Sequence, residues 1–578
     1  MDYLKKYIKM YWKSYVLALI FITLEAIADL MQPTIMAKIV DRGVAENNLN
    51  YVLHMGGVML GITAIGAIAA VIRNIIASIV SQKFGAQLRE DLFIKIQNFS
   101  FENIDNFEEG SLITRLTNDV TQLQNFAHGS MRIFIKAPIL GIGSIVMAII
   151  INPSMSLILI GTIPVISAII FLNMKAGYPL FMKMQKAIDK INGVMREYLR
   201  GVRVVKAFNR FDYEVENFDD ANKNLANISI KGMRRIAILA PIVSFIVNIA
   251  IVLVLWFGGF KVNKGTAKVG EIIALTNYMA QILFSLIMIS HVFVMFVRAK
   301  ASAERIGEVF EEENRLMVKD VSTKVGEYRG KIGFENVNFS YGESSEPVLK
   351  NINFTCNPGE TVAIIGSTGS GKSSLVKLIP RFYDVDEGSI KVDGVDIRDI
   401  DIEELRDIIG IVPQKSVLFS GTIRENIRWS DGDIPMSEVE KAAKIAQAHE
   451  FITSFPEGYD TILGQGGVNL SGGQKQRISI ARALVKKPNI LILDDSTSAV
   501  DVTTEGEIRR ELKKYLVDTT SITIAQRITS VMGADKIVVL DSDGSIESIG
   551  IHEELMEKSS IYQDIYRSQV GKAGDLSG

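Results

Sequence analysis

Six stretches of this chain are long and apolar enough to cross a membrane as helices. They run roughly Tyr15–Val40, Val52–Val80, Arg132–Ile151, Ser154–Leu172, Arg235–Phe260 and Ile272–Val297. Crossing the hydrocarbon takes ~20 mostly apolar residues. Backbone in lipid must satisfy its own hydrogen bonds, which a helix does within one segment. All six stretches precede residue 300, so the overall 48% hydrophobic content is unevenly spread. The connections are informative too. Spans one and two are joined by Asp41–Tyr51, and spans three and four by Asn152-Pro153 alone. Residues 81–131 and 173–234 are polar but keep a helical period, as in FGAQLREDLFIKIQNF and MQKAIDKINGVMREYLRGVRVVKAF. The spacing predicts membrane helices that continue far into the cytoplasm and turn there.

Basic residues in short loops set orientation. Lys5, Lys6, Lys9 and Lys13 put the N-terminal tail inside, and the uncharged Asn152-Pro153 turn fits outside. Lys261, Lys264 and Lys268 oppose the rule on the outer face, but six spans return the chain to the cytoplasmic side for its second half. The opening MDYLKKYIKMYWKSY reads as an amphipathic interfacial helix leading into an uncleaved first span. Gly57 and Gly61 are spaced for close helix packing. Glu25 and Asp29 lie four apart in span one and share a helix face. Carboxylates in a span are costly and face a partner or a cavity. Pairing with Arg73 or a partner helix ranks first, and lining a substrate cavity that favours cations ranks second.

The formal net charge of -2 gives no footprint for nucleic acid. Cys356 is the single cysteine, and the five histidines are scattered, so neither a disulfide nor a side-chain metal cluster is expected.

The second half opens differently. GSTGSGKS, Gly366–Ser373, fits G-x-x-x-x-G-K-S/T after the strand-like TVAII and before the helical SSLVKLIP. Its backbone N–H groups close on phosphate oxygens. Lys372 reaches the β- and γ-phosphates, and Ser373 supplies an oxygen to Mg²⁺. NILILDD, Asn489–Asp495, reads as a buried parallel strand ending in two carboxylates, with Asp494 in the magnesium shell.

Between them stands LSGGQ, Leu470–Gln474, at the start of the helical QKQRISIARALVKK. With these motifs the chain resembles the ABC transporter family. The resemblance implies a membrane all-α domain of six transmembrane helices with long cytoplasmic extensions (residues 1–310). A linker (311–330) joins it to an α/β P-loop ABC nucleotide-binding domain (331–578). It implies ATP and Mg²⁺ as cofactors. Gly366, Ser367, Thr368, Gly369, Ser370, Gly371, Lys372, Ser373 and Ser374 would hold the nucleotide, with Tyr341 stacked on adenine. Gln414 would sense the γ-phosphate and join Ser373 and Asp494 around magnesium. Ser471, Gly472, Gly473 and Gln474, with Asp501 of the SAVD loop, would face the ATP held by a second subunit. NFSFENIDNFEEGSLITRLTNDV and EYLRGVRVVKAFNR resemble the cytoplasmic coupling segments of ABC exporters, which touch the ATP-binding domains.

The sequence departs from the family in catalytic positions. Asp495 stands where the family has a glutamate that polarises the attacking water. It is shorter by one CH₂, and a misplacement of that size can cost ~100-fold in rate. Gln526 stands at the switch histidine and cannot carry positive charge. Gln465-Gly466-Gly467 replaces a usual glutamate-arginine-glycine. Two catalytic groups are weakened while phosphate loop and signature are intact. This split resembles the degenerate-site subunit of bacterial heterodimeric multidrug-type exporters. The partner expected is a homologous half-transporter carrying the glutamate and the histidine. The implied location is a bacterial inner membrane among its lipids, with the ATP-binding domain in the cytoplasm. The implied substrate is a small amphiphile, drug-like compound or lipid.

An ATP-gated channel or regulatory membrane subunit is the alternative, since a degenerate site can hold nucleotide as a switch. The fused spans exclude a soluble ATPase acting on DNA, and fusion ahead of the ATP-binding half favours export over import. The absence of a leading peptidase domain argues against coupled peptide processing.

Overall fold

The computed structural model describes residues 3–314, 316, 328–342, 346–430 and 432–570. Most of the expected linker, residues 315 and 317–327, lies outside them. Contacts divide the chain into two units: Met1–Ile96 with Gly110–Glu311, and Gln97–Glu109 with Glu312–Gly578.

The described residues of the first unit are helical apart from short turns. Six helices are long and apolar enough to cross a membrane: Tyr3–Val44, Leu49–Gln97, Gly110–Ile151, Pro153–Ala207, Phe211–Asn263 and Val269–Glu311. Each runs well beyond its apolar core, the longest being Pro153–Ala207 with 55 residues. At the Asn152-Pro153 turn, Asn152 leaves helical geometry at φ -154° and its side chain accepts from the Met155 N–H at 3.2 Å. Proline follows where its missing N–H removes no helical bond. The third helix contains two π-helical turns, Arg115–Asp119 and Ser130–Phe134.

The N-terminal residues form no separate interfacial helix. They are the first turns of one helix, Tyr3–Lys38. Side-chain bonds explain the difference. Lys6 and Tyr7 both donate to Asp91 Oδ2 at 2.6 Å, Tyr3 donates to the Ala303 carbonyl at 2.9 Å, and Tyr3 stacks on Phe310. Tyr7 is buried, so Tyr3 and Tyr7 are engaged by protein, while Trp12 stays exposed.

Glu25 is also buried, with Oε2 2.9 Å from Arg73 Nε and Oε1 2.5 Å from Lys136 Nζ. Lys136 reaches Asp29 Oδ2 at 2.9 Å as well. The sequence offered Arg73 as the partner. Lys136 was not foreseen, because it comes from the third span, just after the Ser130–Phe134 turn.

The second unit is α/β. Its main sheet has six strands in the order Ile546–Gly550, Lys536–Leu540, Thr361–Gly366, Thr520–Ile524, Ile490–Asp494 and Ile409–Val412. Four of its five pairings are parallel, and Ile546–Gly550 is antiparallel at one edge. Ile490–Asp494 is buried along its whole length, which is why it reads as an unbroken apolar run. A four-stranded antiparallel sheet packs beside it. The short helix Phe101–Asn106, from the first coupling segment, belongs to this unit. Ser100 and Asn103 cap it reciprocally, Phe101 lies 4.5 Å from the Phe382 ring, and Tyr383 donates to Asp105 at 2.7 Å. The second coupling segment turns after Ala207 and leaves Leu199, Val204 and Phe208 exposed.

Candidate functional site

The phosphate loop joins the central strand Thr361–Gly366 to the helix Lys372–Leu378. Gly371 sits at φ +84°, and a Cβ there would meet the Val348 carbonyl at 2.9 Å, so only glycine fits. Lys372 Nζ donates to the Gly366 and Ser367 carbonyls at 2.9 and 2.6 Å, across the mouth of the loop. Ser373 Oγ donates to Asp494 Oδ1 at 3.0 Å. Burial holds the Lys372 ammonium below its usual range, opposed by Asp494 and Asp495. Burial likewise pushes both carboxyls above theirs, opposed at Asp494 by the Ser373 hydroxyl.

Asp495 follows at φ +47°, the left-handed region, with its N–H donating to the Ile524 carbonyl at 3.0 Å. Its Oδ2 accepts from Gln526 Nε2 at 2.9 Å and from Gln414 Nε2 at 3.4 Å. The structure thus gathers Lys372, Ser373, Gln414, Asp494, Asp495 and Gln526 at the ends of neighbouring strands. Tyr341 stands at the flank, 37% exposed, donating to Ser374 Oγ at 3.0 Å and set edge-on to Tyr383. The Ser370 hydroxyl is fully buried within the loop and has no hydrogen-bond partner among the described residues. An orphaned donor beside a lysine and a ring of backbone N–H groups fits a polyphosphate.

The signature residues form a second group. Ser471 caps the helix Gly472–Val485, accepting from Gln474 N–H at 3.3 Å, while Gln474 Oε1 accepts from Ser471 N–H at 2.9 Å. A Cβ on Gly473 would meet the Ala499 carbonyl at 2.9 Å, so the signature lies flush against the loop after Asp495. Asp501 ends that loop as the cap of Val502–Tyr515, accepting from Thr504 N–H at 3.0 Å.

Three polar residues were missed. Gln476 donates to Ser498 at 3.2 Å and accepts from Ala499 N–H at 3.0 Å, and the Ser498 hydroxyl bonds the Asp495 carbonyl, linking the two groups. Glu505 is 5% exposed and receives Arg527 at 2.8 Å. Gln569 bonds the backbone around Gln526. A helical glutamate four residues past a cap was the one visible signal for Glu505. Nothing in the sequence marked Gln476 or Gln569.

Six apolar helices fused to a parallel sheet with a phosphate loop and a glycine-rich signature helix define an ATP-binding membrane transporter. The comparisons agree. Residues 15–286 match the ABC transporter transmembrane region, and residues 349–498 match the ABC transporter family model. The chain is 42% identical to the uncharacterized ABC transporter ATP-binding protein YfiB of Bacillus subtilis, over 97% of each chain. It is 36% identical to the "Putative multidrug export ATP-binding/permease protein YgaD" of the same organism, over 86% of each. Its fold matches a bacterial Atm1-family ABC exporter with ATP bound at TM-score 0.80 and 26% identity, covering 97% of this chain and 98% of the other. The chain belongs to the ABC transporter family, as an exporter half-transporter whose ATPase is coupled to transport. It is a multi-pass membrane protein with a cytoplasmic ATP-binding domain.

Proposed function

We propose that this chain is one subunit of a heterodimeric exporter of amphiphilic, drug-like or lipid compounds. Its own phosphate loop binds ATP but hydrolyses it poorly. Its LSGGQ completes a competent site on a homologous partner that carries glutamate after the Walker B aspartate and histidine at the switch. The observation that carries the reading is the pair Asp495–Gln526. A short carboxylate and an uncharged amide, bonded to each other at 2.9 Å, occupy the two positions where water is activated. No histidine occurs between His449 and His552 to replace the amide. The relation to a multidrug-type relative supports the substrate class.

Lys372, Ser370 and the loop backbone would hold the phosphates, Tyr341 the adenine, and Ser373, Gln414 and Asp494 a magnesium ion. When bound, that ion neutralises charge on the phosphates. Both amides donate to Asp495 Oδ2, and the side chain is one CH₂ shorter than the family's glutamate, so its reach toward an attacking water is reduced. Glu25 and Asp29 are matched by Arg73 and Lys136, which leaves no net negative charge in that cluster for a cationic substrate.

The test is turnover of the purified chain alone against the chain co-purified with its partner. The expected result is weak ATPase alone and a rise of about 100-fold or more in the complex. Comparable ATPase from the chain free of any partner would overturn the heterodimeric reading.

A further inference from the structure

The segment that carries Gln526 is held from outside the nucleotide site. It follows the strand Thr520–Ile524 and runs to Ser530 without regular structure until Ile528. Gln569, the last residue of the helix Ser560–Gln569, grips it with both ends of its amide. Its Nε2 donates to the Gln526 carbonyl at 2.8 Å, and its Oε1 accepts from the Ile528 N–H at 2.7 Å. One donor and one acceptor spaced two residues apart reproduce a rung of sheet pairing. The helix behind it is firmly seated. Tyr562 is fully buried in a cluster with Ile528 and Val531, and its hydroxyl bonds His552 Nδ1 at 2.8 Å.

The other side of the segment is anchored too. Glu505 accepts from Arg527 at 2.8 Å and from Ser530 Oγ, while Arg509 donates to the Thr529 carbonyl at 2.7 Å. With Glu505 holding residues 527 and 530, Gln526 lies between that anchor and the end of the strand; its side chain bonds Asp495 and its carbonyl is held by Gln569.

We infer that Gln569 is a positioning residue for Gln526, making the helix Ser560–Gln569 part of the nucleotide-sensing apparatus. The inference rests on the proposed reading of Gln526 at the switch position, where its amide can still hydrogen-bond a γ-phosphate oxygen although it carries no charge. Gln569 makes no bond to the phosphate loop or to Asp495. It acts by fixing the backbone on both sides of Arg527, so that the Gln526 amide points at the site and not into solvent. Loss of the grip leaves Gln526 to sample other directions, and nucleotide binding bears the cost of re-ordering it.

The experiment is photolabelling of this chain with an azido-ATP analogue, over a concentration series, in the complex with its partner. Gln569→Met keeps the length and removes both hydrogen bonds. It should raise the half-saturating concentration about fivefold. Gln526→Ala should raise it at least as much, and adding Gln569→Met to Gln526→Ala should change nothing further. A merely structural role would act equally in both backgrounds, so an equal shift with and without Gln526 overturns the proposal, as does no shift at all. If the Gln569→Met complex fails to assemble, Gln569→Glu gives the same test, because it keeps the acceptor for Ile528 and loses the donor to Gln526. If Gln526→Ala has no effect while Lys372→Ala does, the sensing role of Gln526 fails and takes this proposal with it. A weakened Gln526→Ala with an independent Gln569→Met leaves that role standing and removes only the inference about Gln569.

Discussion

Lys372 is the residue on which the proposed nucleotide binding turns. It is half-buried, its ammonium is held down by burial, and its three donors are turned onto two loop carbonyls and the space between them. A charge-assisted hydrogen bond to phosphate contributes about 2 kcal/mol, so Lys372→Ala should weaken photolabelling of this chain roughly 30-fold. Unchanged labelling would mean that the loop is not the phosphate cradle. Residues of this kind were legible because a local motif dictates them: Lys372, Ser373 and the glycines act within one turn of chain. Asp494 and Asp495 were legible because two carboxylates closing an unbroken apolar run stand out at the end of a buried strand. Gln476, Glu505 and Gln569 were not. Each bonds across the fold, Gln569 at 43 residues from Gln526, and a lone glutamine at a helix end has no pattern to betray it.

Hydrophobic runs gave the six spans because lipid admits few alternatives to a helix. The same reasoning misread the N-terminal segment, since an amphipathic face is satisfied equally by a membrane surface or by protein. Asp91 and Phe310, far along the chain, decided for protein. The charged residues of the spans carry a prediction at this scale. Glu25 joins the first helix to Arg73 of the second and Lys136 of the third, and is almost wholly buried. Among the described residues the Asp29 carboxylate pairs with Lys136 alone, and its side chain is 36% exposed. Removing one partner of a buried ion pair costs about 3 kcal/mol or more, because the other charge is left uncompensated. Glu25→Gln should therefore lower the melting temperature and membrane yield of the transporter sharply, and Asp29→Asn only slightly. Normal stability of both variants, with loss of cationic substrate transport in vesicles, would instead mark the pair as cavity lining.

At the scale of the whole transporter, the proposed asymmetry sets two substitutions in this chain against each other. Asp495→Asn removes a carboxylate already engaged by Gln414 and Gln526, at a site proposed to be poor in catalysis. If most turnover runs through the partner's competent site, overall ATPase should fall less than about threefold, a change that one weak interaction would make. Gly472→Glu acts elsewhere. A Cβ on Gly472 would meet only Ala499 Cβ, at 3.4 Å, so a side chain can be built at the helix start and would extend from it. There it would meet the partner-bound phosphates with like charge, and repulsion at a desolvated site is severe. Turnover and transport of the complex should drop by about 100-fold or more. Ser471→Arg should act in the same direction by breaking the reciprocal cap with Gln474. Two equivalent sites would give equal severity, because each would need both a base and a signature. The measurement is ATPase and vesicle transport of the purified complex carrying each change, with assembly checked by size-exclusion chromatography. Abolished turnover in Asp495→Asn beside active signature variants would make this chain's own site the working one and end the asymmetric model.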